Sequence, residues 1–210
     1  MKYIVTGTGR SGTGFMSKLM NHNDISFGHE IVFDTSCNLE YYKDNIKTTG
    51  LDGDSSWLIV PFLFDIISEN PNIKVIQIIR NPLMVIKSFM ELRTFSDDNV
   101  YSKLVSSNIN GFNSLSELDR HISYCLKWFE IIENINCNKL QLNLENIDYN
   151  SLSDFVGINI EPLDDIVNRK TNEKVKKISI TKLKKEIETS SLSNKFNLLM
   201  DKYGYTQNQL

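Results

Sequence analysis

Three observations predict an α/β fold: a central parallel sheet flanked by helices in three layers. Short apolar runs alternate with amphipathic stretches along the whole chain. NIKVIQIIR (72–80) is β-branched and nearly all apolar, which suits a strand covered on both faces. KYIVT (2–6) runs directly into closely spaced glycines and then into a helical pattern.

The elements follow in order. KYIVT ends at a glycine and reads as a buried strand. GFMSKLMNH (14–22) places Phe15, Met16, Leu19 and Met20 at helical spacing. NDISFGHE (23–30) predicts a second short strand ending near Gly28. Residues 31–56 are polar and irregular, with a helix at LEYYKDNI. WLIVPFLFDIISEN (57–70) gives an apolar stretch, then a helix after Pro61. NPLMVIKSFMELR (81–93) is a helix with Asn81 as N-cap and Pro82 in the first turn. Residues 94–113 read as a long polar loop. LSELDRHISYCLKWFEIIENI (115–135) is a long amphipathic helix, KLQLNLE (139–145) a strand, and SLSDFVGI (151–158) a short helix. Beyond Pro162 the chain is Lys-rich and ends in a helix near FNLLMDKYGY. The 210 residues suit a single domain, 1–210.

Composition excludes several functions. A net charge of −3 gives no general attraction to nucleic acid or to a membrane surface. An anionic ligand therefore needs a locally basic pocket. Cys37, Cys125 and Cys137 are scattered, odd in number and outside metal-ligand spacing. They predict free thiols in a reducing, cytoplasmic compartment. No run approaches the roughly 20 apolar residues of a membrane span. The chain enters its first strand at once, so no signal peptide is expected. His22 and His121 have no sequence partners for a metal, and no metal is expected.

Gly7 and Gly12 keep the Gly-x4-Gly spacing of a phosphate loop. Such glycines let the backbone turn tightly and aim N–H groups inward, while the following helix adds its positive end. The Lys and Ser/Thr that end a nucleotide-hydrolysing loop are replaced by Thr13 and Gly14. Gly14 has no side chain for magnesium, and the cation sits inside the loop, at Arg10. The spacing predicts a phosphate group bound without the usual magnesium site. A glycine turn without a ligand is the plain alternative. A dinucleotide loop through Gly7, Gly9 and Gly12 lacks the acidic residue expected after the next strand.

Arg80 closes the strand NIKVIQII, and Ser88 follows two turns into the next helix. Ligands of parallel α/β sheets bind at the carboxyl ends of strands, where Arg10 and Arg80 both fall. Two such cations fit a ligand with two separate anionic groups. Arg80 can fork around a phosphate and Ser88 can add a hydroxyl. A structural salt bridge and a solvent-facing serine would explain the same pair.

RSGTGF followed by IIRNPLMVIKS resembles the sulfotransferases that use 3'-phosphoadenosine 5'-phosphosulfate. The longer match RSGTGFMSKLMNHNDISFGHE looks most like the carbohydrate and tyrosyl-protein branch. The resemblance covers residues 3–30 and 75–93. It implies a P-loop-containing fold and transfer of a sulfuryl group to a hydroxyl, without a metal. It implies that Arg10, Ser11, Gly12, Thr13 and Gly14 hold the 5'-phosphosulfate, and that Arg80 and Ser88 hold the 3'-phosphate. Phe15 matches an aromatic place against adenine, and a core role explains it nearly as well. Glu30, ending FGHE, is in register with that branch's catalytic glutamate. His29 is the rival base, since its ordinary pKa lies nearer neutrality. Adjacent strand residues point to opposite faces, so only one of the two should face the site, and Glu30 is favoured. Arg169 and Lys170 in NRKTNEK lie where the family has a basic loop, without its usual glycine. Asp52, Asp54, Ser55 and Ser56 are candidates for lining the acceptor pocket, or simply form a polar turn.

The implied acceptor is a saccharide, a small-molecule or lipid alcohol, or a tyrosyl phenol. The chain is short for the family. That implies minimal substrate loops, or loops supplied by a neighbouring subunit in a homo-oligomer. The alternatives are a P-loop small-molecule kinase and a non-catalytic nucleotide-binding protein.

Overall fold

The structure is a computed structural model that describes residues 1–95, 98–163 and 177–205. Arg169 and Lys170 lie outside the described residues. In chain order the elements are β1 (Tyr3–Gly7), α1 (Thr13–His22), β2 (Phe27–His29), α2 (Leu39–Thr48) and β3 (Gly53–Ser55). Then come α3 (Leu63–Glu69), β4 (Lys74–Ile79), α4 (Pro82–Glu91), α5 (Val100–Ser106) and α6 (Glu117–Asn134). β5 (Lys139–Asn143), α7 (Tyr149–Val156), α8 (Ile180–Glu188) and α9 (Ser193–Lys202) complete the set.

The fold is α/β. Its five strands are all parallel, in the order β2-β3-β1-β4-β5. β1 is central, and the chain leaves it first to one side and later to the other. The carboxyl ends of β1 and β4 are adjacent, with Gly7 opposite Ile78. A crevice at such a reversal is where parallel sheets take their ligands.

The chain divides into two compact units. The first holds the described parts of Met1–Arg80 and Ile131–Arg169, including all five strands. On one sheet face Tyr3, Val5, Ile76, Ile78 and Leu142 are buried against Met16, Leu19 and Met20 of α1 and Leu152 and Val156 of α7. Each such aliphatic side chain contributes about 1.5–3 kcal/mol by leaving water. Two long-range bonds tie down α7: Tyr3 Oη donates to the Val156 carbonyl (2.9 Å) and Lys74 Nζ to that of Phe155 (2.7 Å). The lysine also complements the negative end of the helix. Residues of the opposite face, Ile4, Thr6, Val75 and Gln77, are fully buried too, so the interior strands are covered on both sides as their composition predicts.

The second unit holds the described parts of Asn81–Glu130 and Lys170–Leu210. Asn81 caps α4 as expected, its Oδ1 accepting from Leu83 N at 3.0 Å. Phe89, Phe95, Phe112, His121 and Tyr124 form an aromatic cluster, with Phe95 and Phe112 edge-to-face at 5.5 Å. Glu91 is 1% exposed; its Oε1 accepts from Lys87 Nζ and, at 3.0 Å, from Ile178 N.

Two expectations need correction. Residues 94–113 are not one long loop: α5 and a short 3-10 turn (Phe112–Ser114) interrupt them. Asn99 caps α5, accepting from Ser102 N at 2.9 Å, and Phe95, Leu104, Val105 and Phe112 are buried. Residues 31–56 contain β3, whose Gly-Asp-Ser sequence carries no strand signal. Its neighbours β1 and β2 impose the extended form through backbone pairing, which overrides weak local propensity.

Candidate functional site

The glycine loop follows β1 directly. A Cβ on Gly7 would lie 2.3 Å from the Ile78 carbonyl oxygen and 2.6 Å from Ser11 Oγ, so only glycine lets β1 pass β4 here and the loop fold back. Ser11 N donates to the Thr8 carbonyl at 3.1 Å, closing a turn. Gly12 is the N-cap of α1 at φ 111°, a left-handed conformation suited to glycine, and no side chain caps the helix. The amides of its first turn have no acceptor within the helix itself.

Two hydroxyls in this loop stand out. Among the described residues Thr8 Oγ1 and Ser11 Oγ are buried and without a hydrogen-bond partner. Buried hydroxyls are nearly always satisfied, and leaving one orphaned costs about 1–3 kcal/mol. Such atoms fit a loop that takes an oxygen-rich group between them.

Arg10 lies at φ 67°, left-handed for a residue with a side chain. That costs on the order of 1–2 kcal/mol and must be held by its surroundings. Partial burial pushes its pKa down from the usual arginine value, and it remains a cation. Arg80, at the end of β4, donates from Nη1 to the Arg10 carbonyl at 2.8 Å. The two arginines singled out from separate stretches of sequence therefore meet at the carboxyl edge of the sheet.

β2 brings His29 to the same loop. It is the sheet's edge strand, and α1 clasps it: the Asn21 amide donates to the Phe27 carbonyl (2.7 Å) and accepts from Phe27 N (3.1 Å). This replaces the pairing a further strand would give. His29 Nε2 lies 3.3 Å from Thr13 Oγ1, and its ring packs against Gly14. Partial burial of the ring, and after it the charge of Lys18, push the His29 pKa down. Glu30 lies just past the strand at φ 56°, its N–H donating to the Ser55 carbonyl at 3.1 Å. Burial, and then the charge of Asp54, raise its carboxyl above the ordinary 4.5. β2 ends at His29, near Gly28 as expected, so the alternation argument reaches only to His29 and Glu30 turns out of the strand.

The remaining candidates fall as follows. Phe15 is half-buried and packs against the core of the first unit. Ser88 is buried on α4, in the second unit. Asp54, Ser55 and Ser56 are fully buried and bonded to backbone, and Asp52 pairs with Lys2 at 2.9 Å. Asp54 holds the chain that follows Glu30. Its carboxylate accepts from the amides of Ile31 (3.3 Å), Val32 (2.9 Å) and Phe33 (3.0 Å), and the only signal was an acidic residue flanked by small ones. A separate open groove of about 560 Å³ in the second unit, lined by residues such as Ser107, Asn108, Lys127 and Lys195, contains none of the predicted site residues. Among the described residues no His/Cys/Asp/Glu group could hold a metal ion, and no helix is long and apolar enough to cross a membrane.

A parallel α/β sheet with a phosphate-type loop after its central strand defines the class. Among solved structures, the chain is similar to a sulfotransferase from Alicyclobacillus acidocaldarius, with a TM-score of 0.58 at 11% identity, over 98% of this chain and 96% of that one. It is also similar to mouse sulfotransferase SULT7A1 complexed with PAP, with a TM-score of 0.48 at 15% identity, over 77% of this chain and 60% of that one. The first likeness establishes the fold along essentially the whole chain. No family model matches the sequence, and no curated protein matches it.

Proposed function

We propose that the protein is a sulfotransferase moving a sulfuryl group from 3'-phosphoadenosine 5'-phosphosulfate to a hydroxyl. The observation that carries this reading is the pair of orphaned buried hydroxyls, Thr8 and Ser11, in a glycine loop that carries Arg10 and opens an uncapped helix. The fold shared with a sulfotransferase and the sequence resemblance support it. The donor supplies an activated sulfuryl group. Arg10, Ser11, Gly12, Thr13 and Gly14 hold its 5' end, and Arg80, with Ser88 added by the resemblance, its 3'-phosphate.

Glu30 takes the acceptor's proton. The acceptor oxygen forms the new S–O bond while the S–O bond to the phosphate breaks. The electron pair departs on the phosphate oxygen, where Arg10 and the amides of the first turn of α1 stabilise it. Magnesium has no role, since Gly14 stands where a metal-binding hydroxyl would be. The acceptor is a saccharide, an aliphatic alcohol or a phenol. The free thiols suggest a cytoplasmic setting.

Thermal shift against 3'-phosphoadenosine 5'-phosphate, ATP with magnesium, and NAD tests the ligand. Stabilisation by the first alone is expected; a larger shift with ATP and magnesium would favour a small-molecule kinase. Sulfuryl transfer from sulfur-35-labelled donor to a phenol, an aliphatic alcohol and an oligosaccharide then tests the reaction. Tight nucleotide binding with no transfer to any of them would leave a non-catalytic nucleotide-binding protein.

A further inference from the structure

We propose that Asp54, buried behind the candidate base, is a positioning residue for Glu30; this rests on the reading of Glu30 as the base. Asp54 is 0% exposed and sits in the middle of β3 alongside Gly28 of β2. Its carboxylate receives the amides of Ile31, Val32 and Phe33, the three residues that follow Glu30. Glu30 is thus fixed from both sides. Its own N–H is bound by the Ser55 carbonyl, and the chain beyond it is drawn onto the Asp54 oxygens. That clamp holds Glu30 in its left-handed conformation, which an unheld chain would leave.

Burial raises the Asp54 pKa above the ordinary 3.8, and the three amides aimed at its oxygens favour the ionised form against that. An asparagine offers a single acceptor oxygen, and its amide hydrogens would oppose amides already pointing inward. The site is also shaped around the carboxylate. A Cβ on Gly28 would lie 2.4 Å from Asp54 Oδ1, so glycine is required where β2 passes. The buried negative charge has a second effect, because it disfavours ionisation of Glu30 and tunes the base upward.

The test compares Asp54→Asn and Gly28→Ala with wild type and Glu30→Gln. It uses whichever acceptor of the three classes above is turned over best. Affinity for 3'-phosphoadenosine 5'-phosphate should stay within about twofold in every variant, because the clamp does not touch the loop. Asp54→Asn should lower kcat about tenfold or more with little change in donor KM. It should also move the acidic limb of the kcat/KM profile to lower pH, as the neighbouring charge is lost. Gly28→Ala, which displaces the carboxylate without removing it, should lower kcat in the same way, and it carries the test if Asp54→Asn does not fold. A variant that only melts earlier, with unchanged kcat per folded site and an unmoved limb, overturns the positioning role. Full turnover by Glu30→Gln, or no turnover by wild type, removes the base itself and the proposal with it.

Discussion

Arg80 Nη1 donates a hydrogen bond to the main-chain carbonyl of Arg10 at 2.8 Å. The bond joins the ends of β4 and of the loop after β1, so two cations distant in sequence share one edge of the sheet. It also steadies a residue whose backbone is left-handed. Arg80→Lys keeps the charge and loses the planar fork, so affinity for 3'-phosphoadenosine 5'-phosphate should fall about tenfold. Arg80→Ala should lose more, and titration calorimetry reads both. Equal affinity for all three proteins would detach Arg80 from the ligand.

Arg10 offers a sharper contrast between stability and function. Glycine adopts a φ of 67° without strain, so Arg10→Gly should unfold at the same urea concentration as wild type, or be more stable by up to about 1 kcal/mol. The same change removes the loop's cation and should abolish measurable nucleotide binding. A variant that is both less stable and still binds would contradict the assignment.

The choice between Glu30 and His29 can be decided by kinetics. Glu30→Gln should lower kcat about 100-fold or more and leave nucleotide affinity intact. His29→Ala, which loses a contact with Thr13, should cost far less. The sign of the pH effect follows from the raised Glu30 pKa. A base works when ionised, so activity should rise with pH through a value above the ordinary 4.5, and that limb should vanish in Glu30→Gln. A normal Glu30→Gln beside an inactive His29→Ala reverses the roles.

Much of this arrangement was legible because it is written in local chemistry. The interior strands β1 and β4 announce themselves by continuous apolar runs, and Gly7 and Gly12 by spacing. Asn81 and Pro82 mark the start of α4. What was hidden depends on partners. β3 exists because β1 and β2 flank it, not because Gly-Asp-Ser favours extension. The role of Asp54 needs the loop after Glu30 to fold back over it. α5 was obscured because its polar residues outnumber Leu104 and Val105, the two it buries. The contact between Arg10 and Arg80 could be expected only through the rule that parallel strands end on one edge.

Gly7 should be intolerant of any side chain for reasons of packing alone. An alanine methyl would meet the Ile78 carbonyl at 2.3 Å, and backbone in a sheet cannot withdraw as a side chain can. Gly7→Ala should therefore destabilise by about 3 kcal/mol, read as a lower urea midpoint with an unchanged slope. A wild-type midpoint would mean that β1 and β4 separate more easily than their register implies.

His121 should make stability fall in mild acid. It is 1% exposed and sits against Phe95, with ring centroids 4.8 Å apart. Its Nδ1–H donates to the Glu117 carbonyl at 2.7 Å, which fixes the tautomer and leaves Nε2 as a buried acceptor without a donor among the described residues. Burial lowers its pKa from 6.5 to about 4; the Glu117 bond opposes this and Arg120 adds to it. The folded pKa is depressed, so between those values the unfolded chain binds the proton that the folded one refuses. Stability from this group is full above pH 6.5 and is lost as pH falls towards 4, by up to about 3 kcal/mol. His121→Phe keeps an aromatic ring and removes the proton site. Urea titrations at pH 7 and pH 4.5 should show wild type losing about 2–3 kcal/mol more than His121→Phe across that interval. Equal losses would mean that the imidazole becomes charged in place, with the aromatic cluster or water accommodating it.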